Sequence, residues 1–119
     1  MKQLTKAEED VMQVLWALED AKVADIIEQL PEPKPAYNTV STVVRILETK
    51  GFVDHRAEGK GYRYFPLLSK SEYSHQSLNR LADRYFQGSF KSMVSFFMKK
   101  NELSLEELES ILNQVNEEK

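Results

Sequence analysis

The chain of 119 residues is long enough for one domain or two small lobes, and its 41% hydrophobic content supports a folded core. Having no cysteine, it excludes disulfides, thiolate metal sites and a cysteine nucleophile, and it holds no apolar run long enough to span a bilayer. The net charge of −3 argues against indiscriminate nucleic-acid binding, but it is uneven: residues 1–33 carry −5, residues 34–68 carry +3 and residues 69–119 carry −1. The opening Met1-Lys-Gln-Leu-Thr5 runs straight into a helical pattern rather than an export signal, so a cytoplasmic protein is expected.

Thr5-Lys-Ala-Glu8 is a capping box that starts a helix. Glu8, Glu9 and Asp10 follow where the helix dipole favours acids. They read as a solvated helix start rather than a metal site, because consecutive helical side chains diverge. Val11, Val14, Leu15 and Leu18, widened by Met12 and Trp16, form the inward face. Ala21-Lys22 is a short connector or a bridge strand, and Val23, Ile26, Ile27 and Leu30 are the inward side of a two-turn helix. Pro31-Glu-Pro-Lys-Pro35 ends it, since each proline disfavours helix in the residue before it; Pro35 is equally suited to open the next one.

That next helix starts between Lys34 and Asn38 and stops at Gly51, with Lys50 favourably placed at the negative end of the dipole. Val40, Val43, Val44 and Leu47 make one apolar stripe, and Asn38, Ser41, Thr42, Arg45 and Thr49 are expected together on the opposite side. An ordinary solvated face would carry paired Glu and Lys. Small hydrogen-bonding side chains and one Arg instead keep the helix slim enough for a major groove about 12 Å wide, and able to bond base edges there. On its own the stretch divides evenly between a recognition helix and an exposed, Thr-rich helix, so its neighbours decide.

After Gly51 the period changes. Phe52–Arg56 and Tyr62–Pro66 are β-rich runs around Ala57-Glu-Gly-Lys-Gly61, a hairpin turn. Three helices followed by a hairpin are the order of a winged helix-turn-helix. The expected fold is mainly α with a small β-hairpin: a winged helix-turn-helix DNA-binding domain at residues 1–68, then a helical dimerisation region at 69–119. Asn38, Thr39, Ser41, Thr42 and Arg45 are candidates for base edges or adjacent phosphates. Lys34, Lys50, Arg56, Lys60 and Arg63 are candidates for positioning contacts to the backbone of double-stranded DNA. Tyr62 and Tyr64 are expected to pack the wing onto the helices, the alternative being that their hydroxyls reach phosphate.

Beyond Pro66 the pattern is helical, with further capping boxes at Ser69-Lys-Ser-Glu72 and Ser104-Leu-Glu-Glu107. Leu78, Leu81, Tyr85 and Phe86 form one stripe, and Phe90, Met93, Val94, Phe97 and Met98 a second after a break at Gly88. Leu105, Leu108, Ile111, Leu112 and Val115 form a third. A segment this short cannot bury so much apolar surface alone. The stripes either fold back on the first lobe or meet a second copy, and the Pro66–Ser71 junction favours a homodimer over a Met/Phe-lined ligand pocket. His55 and His75 lack a helical metal-binding partner, and no serine sits in an elbow pattern. No catalytic residue, metal site or cofactor is therefore expected.

Four blocks, in this order along the chain, resemble the penicillinase-repressor family of BlaI/MecI-type bacterial regulators: Leu4–Trp16, Asn38–Gly51, Glu58–Pro66 and Phe86–Val94. The resemblance implies a dimeric repressor of resistance or stress genes that binds a near-palindromic operator. It also implies release when a membrane-bound sensor protease leads to a cut shortly after Met93-Val94. The corresponding bond here is Phe96–Phe97, and Phe96 stands where the relatives carry Asn, a departure that tells against cleavage. The copper-responsive branch uses C-terminal cysteine pairs, which this chain lacks. The rival readings are a winged helix that binds protein and a repressor controlled by a small ligand in its helical region.

Overall fold

The computed structural model describes residues 3–104 together with 106, 107, 109, 110 and 113. The sequence folds in the order α1 (Lys6–Leu18), α2 (Val23–Gln29), α3 (Tyr37–Thr49), β1 (Val53–Glu58), β2 (Gly61–Pro66), α4 (Lys70–Tyr85) and α5 (Phe90–Lys100). A break after Lys70 divides the chain into two compact units. Leu105, Leu108, Ile111 and Leu112 of the expected third stripe lie outside the described residues.

In the first unit the capping box at Thr5 is formed as expected, with the Glu8 amide donating to Thr5 Oγ1 and the Thr5 amide to Glu8 Oε1. Val11, Met12 and Leu15 of α1 are buried with Val23 and Ile26 of α2 and Val40, Val44 and Leu47 of α3. Phe52 and Val53 complete this core from the start of the hairpin. Leu18 departs from the expected inward stripe and is exposed, because α1 ends there. The apolar back of α3 is thus held against α1 and α2, which leaves its other side outward.

α3 stops by a Schellman arrangement. The Phe52 amide donates to Leu47 O (2.9 Å) and the Gly51 amide to Glu48 O (3.0 Å), while Gly51 takes φ +87°. The buried pair Leu47 and Phe52 supplies the hydrophobic contact that accompanies this motif. The chain then reverses straight into β1.

β1 and β2 pair antiparallel from Val53↔Pro66 to Glu58↔Gly61, so the turn is the two residues Gly59 and Lys60. Gly59 at the first central position has φ +62°, as a type II′ turn uses. The strands are longer and the turn tighter than the sequence suggested, because Ala57 and Glu58 continue the ladder. Ala21 bridges Tyr64 in both directions (2.9 and 2.8 Å), so the connector after α1 is a third rung beside the hairpin. Tyr64 is buried as expected, but Tyr62 is 53% exposed. The two share a strand face; Tyr62 lies nearer the turn and packs only edge-on against His55, with centroids 4.7 Å apart.

In the second unit Tyr73, Ala82 and Met93 are buried. Leu78, Leu81, Tyr85, Phe90, Phe96 and Phe97 are exposed. Met93 is thus buried while Phe90 and Phe97 of the same stripe are exposed. The Ser104 cap is formed, its hydroxyl accepting from the Glu107 amide at 3.1 Å.

Candidate nucleic-acid interface

The outer face of α3 carries Asn38, Thr39, Thr42, Arg45 and Thr49, all exposed. Ser41 does not join them: it is only 9% exposed. At 3.6 residues per turn it stands about 60° from the buried Val44, on the flank of the apolar stripe rather than opposite it. Ser41 instead braces the side chain one turn on, for Arg45 Nη2 donates to Ser41 Oγ at 3.3 Å. Thr42 Oγ1 donates to Asn38 O (2.8 Å) and Thr49 Oγ1 to Arg45 O (3.1 Å). Their hydroxyl protons are spent on the helix's own carbonyls, which leaves lone pairs as the groups they offer outward. The sequence also gave no signal for Ile46, which is 41% exposed on this same face. Thr42, Arg45, Ile46, Thr49 and Lys50 line an open hollow of ≈ 310 Å³.

Of the five cations expected to position DNA, four are already engaged. Lys50 Nζ bonds both oxygens of Glu8 (2.8 and 3.1 Å) and Gln3 O (3.2 Å). Glu8 is the reason: it is buried rather than solvated, and a buried carboxylate requires a counter-charge. Burial pushes the Glu8 carboxyl up, but the Lys50 hydrogen bond, the Thr5 amide and the Lys50 charge outweigh it and leave the group below its ordinary value. Lys34 Nζ donates to Glu28 O (2.8 Å) and Leu30 O (2.6 Å), tying off the last carbonyls around the end of α2.

Arg56 and Arg63 stand directly opposite each other across the hairpin, where like charges repel. Asp20, brought alongside by the Ala21–Tyr64 bridge, bonds Arg56 Nη2 and Arg63 Nη1, each at 2.9 Å. Arg63 Nε also donates to Glu58. These hydrogen bonds hold the Asp20 and Glu58 carboxyls below the ordinary range and raise the Arg63 guanidinium. Lys60, at the wing tip, is the one of the five with no ion pair or hydrogen bond among the described residues.

Where the sequence showed no partner for His55, the fold supplies two. His55 Nδ1 bonds Glu48, and Asp54 Oδ1 lies 3.9 Å away. The donor atoms of Glu48, Asp54 and His55 fall within 4.8 Å of one another at the root of the wing. Nearby Tyr64 has its phenol pushed up by burial and by the Glu48 charge.

Three helices, the third with a hydrogen-bonding outer face, followed by a two-stranded antiparallel wing define a winged helix-turn-helix protein. The chain belongs to the penicillinase-repressor family, whose profile matches residues 4–117. This is a family of DNA-binding transcriptional repressors and not of enzymes. The chain is 29% identical over 115 residues to the methicillin resistance regulatory protein MecI of Staphylococcus aureus (strain N315), spanning 96% of this chain and 94% of MecI. It is 28% identical over 118 residues to the penicillinase repressor of Bacillus licheniformis, spanning 98% of this chain and 92% of that protein.

Among solved structures it is similar to the DNA-binding domain of the repressor BlaI, with TM-score 0.53 and 29% identity over 60% of this chain and 88% of that one. It is also similar to the monomeric form of Bacillus licheniformis BlaI in complex with the blaP half-operator, with TM-score 0.50 and 29% identity over 60% of this chain and 89% of that one.

Proposed function

We propose that this chain is a cytoplasmic, dimeric transcriptional repressor that lays α3 in the major groove of a near-palindromic operator and rests its wing on the adjacent backbone. One observation carries the reading: α3 is anchored by the buried Val40, Val44 and Leu47, with Val43 half-buried beside them, while Asn38, Thr39, Thr42 and Arg45 stand open on its front. The similarity to BlaI in complex with a half-operator supports DNA as the partner. Arg45 is the candidate for a bidentate base contact; Thr42, with its proton committed, accepts from an amino group. Lys60 meets phosphate first, and Arg56 and Arg63 follow once DNA competes with Asp20.

The exposed Leu78, Leu81, Tyr85, Phe90 and Phe97 support a second copy as the partner of the second unit. Two such chains read two half-sites whose spacing the dimer sets. No helix among the described residues is long and apolar enough to cross a membrane. A winged helix built to bind protein would expose Val53, Tyr62 and Phe65. Here Tyr62 is exposed, but Val53 is buried and Phe65 half-buried with Arg56 Cζ 5.8 Å from its ring centre, so two of the three tell for DNA as the better-supported partner.

On this reading the candidate cleavage bond, Phe96–Phe97, lies within α5 with both rings exposed. Proteolysis there requires the helix to open, and Phe96 at the first position tells against it. A chain that stays intact through induction in its own cell, followed by immunoblot, sets the sensor protease aside as a partner.

The direct test is a band-shift titration on DNA flanking the chain's own gene, repeated at several salt concentrations. Each phosphate neutralised adds about 0.9 to the log–log slope, so a steep dependence is expected. A flat dependence with no footprint overturns the proposal.

A further inference from the structure

Ile46 lies at the edge of the outer face of α3, one turn after Thr42 and three residues before Thr49, and it is exposed. A lone exposed aliphatic residue is ordinary on a protein surface. This one differs in its surroundings. Thr42 and Thr49 on either side have given their protons to Asn38 O and Arg45 O. Lys50, which lines the same hollow, is drawn away to Glu8. Around Ile46 the hollow therefore offers an apolar surface and acceptor lone pairs, with Arg45 as its one outward donor.

On the major-groove edge of a base pair, the only apolar group is the C5-methyl of thymine. We infer that Ile46 is a specificity-determining residue that reads a thymine methyl, next to the base pair contacted by Arg45, in each half-site. The inference rests on the DNA reading above and adds to it a named base. A cytosine at that position presents an amino group to the isoleucine and leaves it without a hydrogen-bond partner, so the pair is rejected on both shape and polarity.

The test begins by selecting a preferred duplex from a random-sequence pool with the full-length chain. Each thymine of that duplex is then replaced in turn by deoxyuridine, which removes the methyl and nothing else. Affinities are measured for the wild type, Ile46→Val and Ile46→Ala, with circular dichroism confirming that the variants fold. At one thymine per half-site the replacement weakens wild-type binding about fourfold, the worth of burying one methyl-sized group. Ile46→Val retains most of that preference, and Ile46→Ala binds the thymine and uracil duplexes equally. A selected duplex whose affinity ignores every thymine methyl, or a methyl preference unchanged in Ile46→Ala, overturns this inference alone. A pool that yields no preferred sequence overturns the DNA reading and this inference with it.

Discussion

On the proposed DNA reading, Arg45 is the side chain on which sequence-specific binding is expected to depend most. It is exposed, charged and braced by Ser41 from one turn earlier, which limits the rotamers it must give up on binding. Replacing it with Ala is expected to weaken operator binding by about 1–3 kcal/mol, the range of one good bidentate base contact. A band-shift titration with unchanged affinity and specificity removes Arg45 from the reading set. Lys50 belongs to a different class, because its partner Glu8 is buried. Lys50→Met strands that carboxylate and is expected to destabilise the fold by about 3–5 kcal/mol at neutral pH, measured by urea melts. Glu8 has a lowered folded-state pKa, so the stability it adds is present above its ordinary carboxylate value and is lost as pH falls through the lowered one. The gap between wild type and Lys50→Met should therefore shrink in acid, and an equal gap at neutral and acid pH contradicts the pairing.

The root of the wing is held by the buried Val53 and Tyr64, and its two facing arginines by the partly exposed carboxylate of Asp20. Asp20 sets two guanidinium groups that would otherwise repel across the hairpin, and by doing so it withholds them from any phosphate. Asp20→Asn frees Arg56 and leaves Arg63 with Glu58 as its remaining carboxylate partner. Because the cluster is solvent-exposed, its loss should change stability by less than about 1 kcal/mol. Its effect should appear instead in binding to non-operator DNA, which strengthens and steepens in salt dependence by about 0.9 for each new phosphate contact. An unchanged slope means that Asp20 was not competing for those arginines. At the end of α3 the control is conformational: Gly51 has no atom within 4 Å of where a Cβ would stand, but its φ of +87° is one that other residues resist. The turn that aims the wing thus depends on backbone freedom and not on space.

At the scale of the whole molecule, the second unit leaves six large apolar side chains exposed among the described residues, Leu78, Leu81, Tyr85, Phe90, Phe96 and Phe97, which on the proposed reading a second copy covers. Sedimentation should find twice the 13.8 kDa chain mass. Leu81→Glu, at the middle of the exposed stripe, should yield a folded monomer. Because a tethered second reader acts at high effective concentration, operator affinity should fall by about 10²–10⁴-fold while half-site affinity is kept. A Leu81→Glu chain that still sediments as a dimer places the interface elsewhere.

The sequence by itself determined the order of elements, the three caps of α1, α3 and the Ser104 turn, the buried stripe Val40–Val44–Leu47 and the open face that carries Arg45. These follow from local rules, periodicity and glycine conformation, that act within one or two turns. Only the tertiary structure decided what became of the charges. Lys50 meets Glu8 and Arg63 meets Asp20 across more than forty residues, and the expected phosphate ligands became internal partners because burial of one acid and the approach of two arginines demanded it. The same applies to Ser41, Ile46 and Tyr62. Each lies at the margin of a stripe or strand face, where periodicity gives an angle but only the packed neighbour determines which side of the surface it ends on.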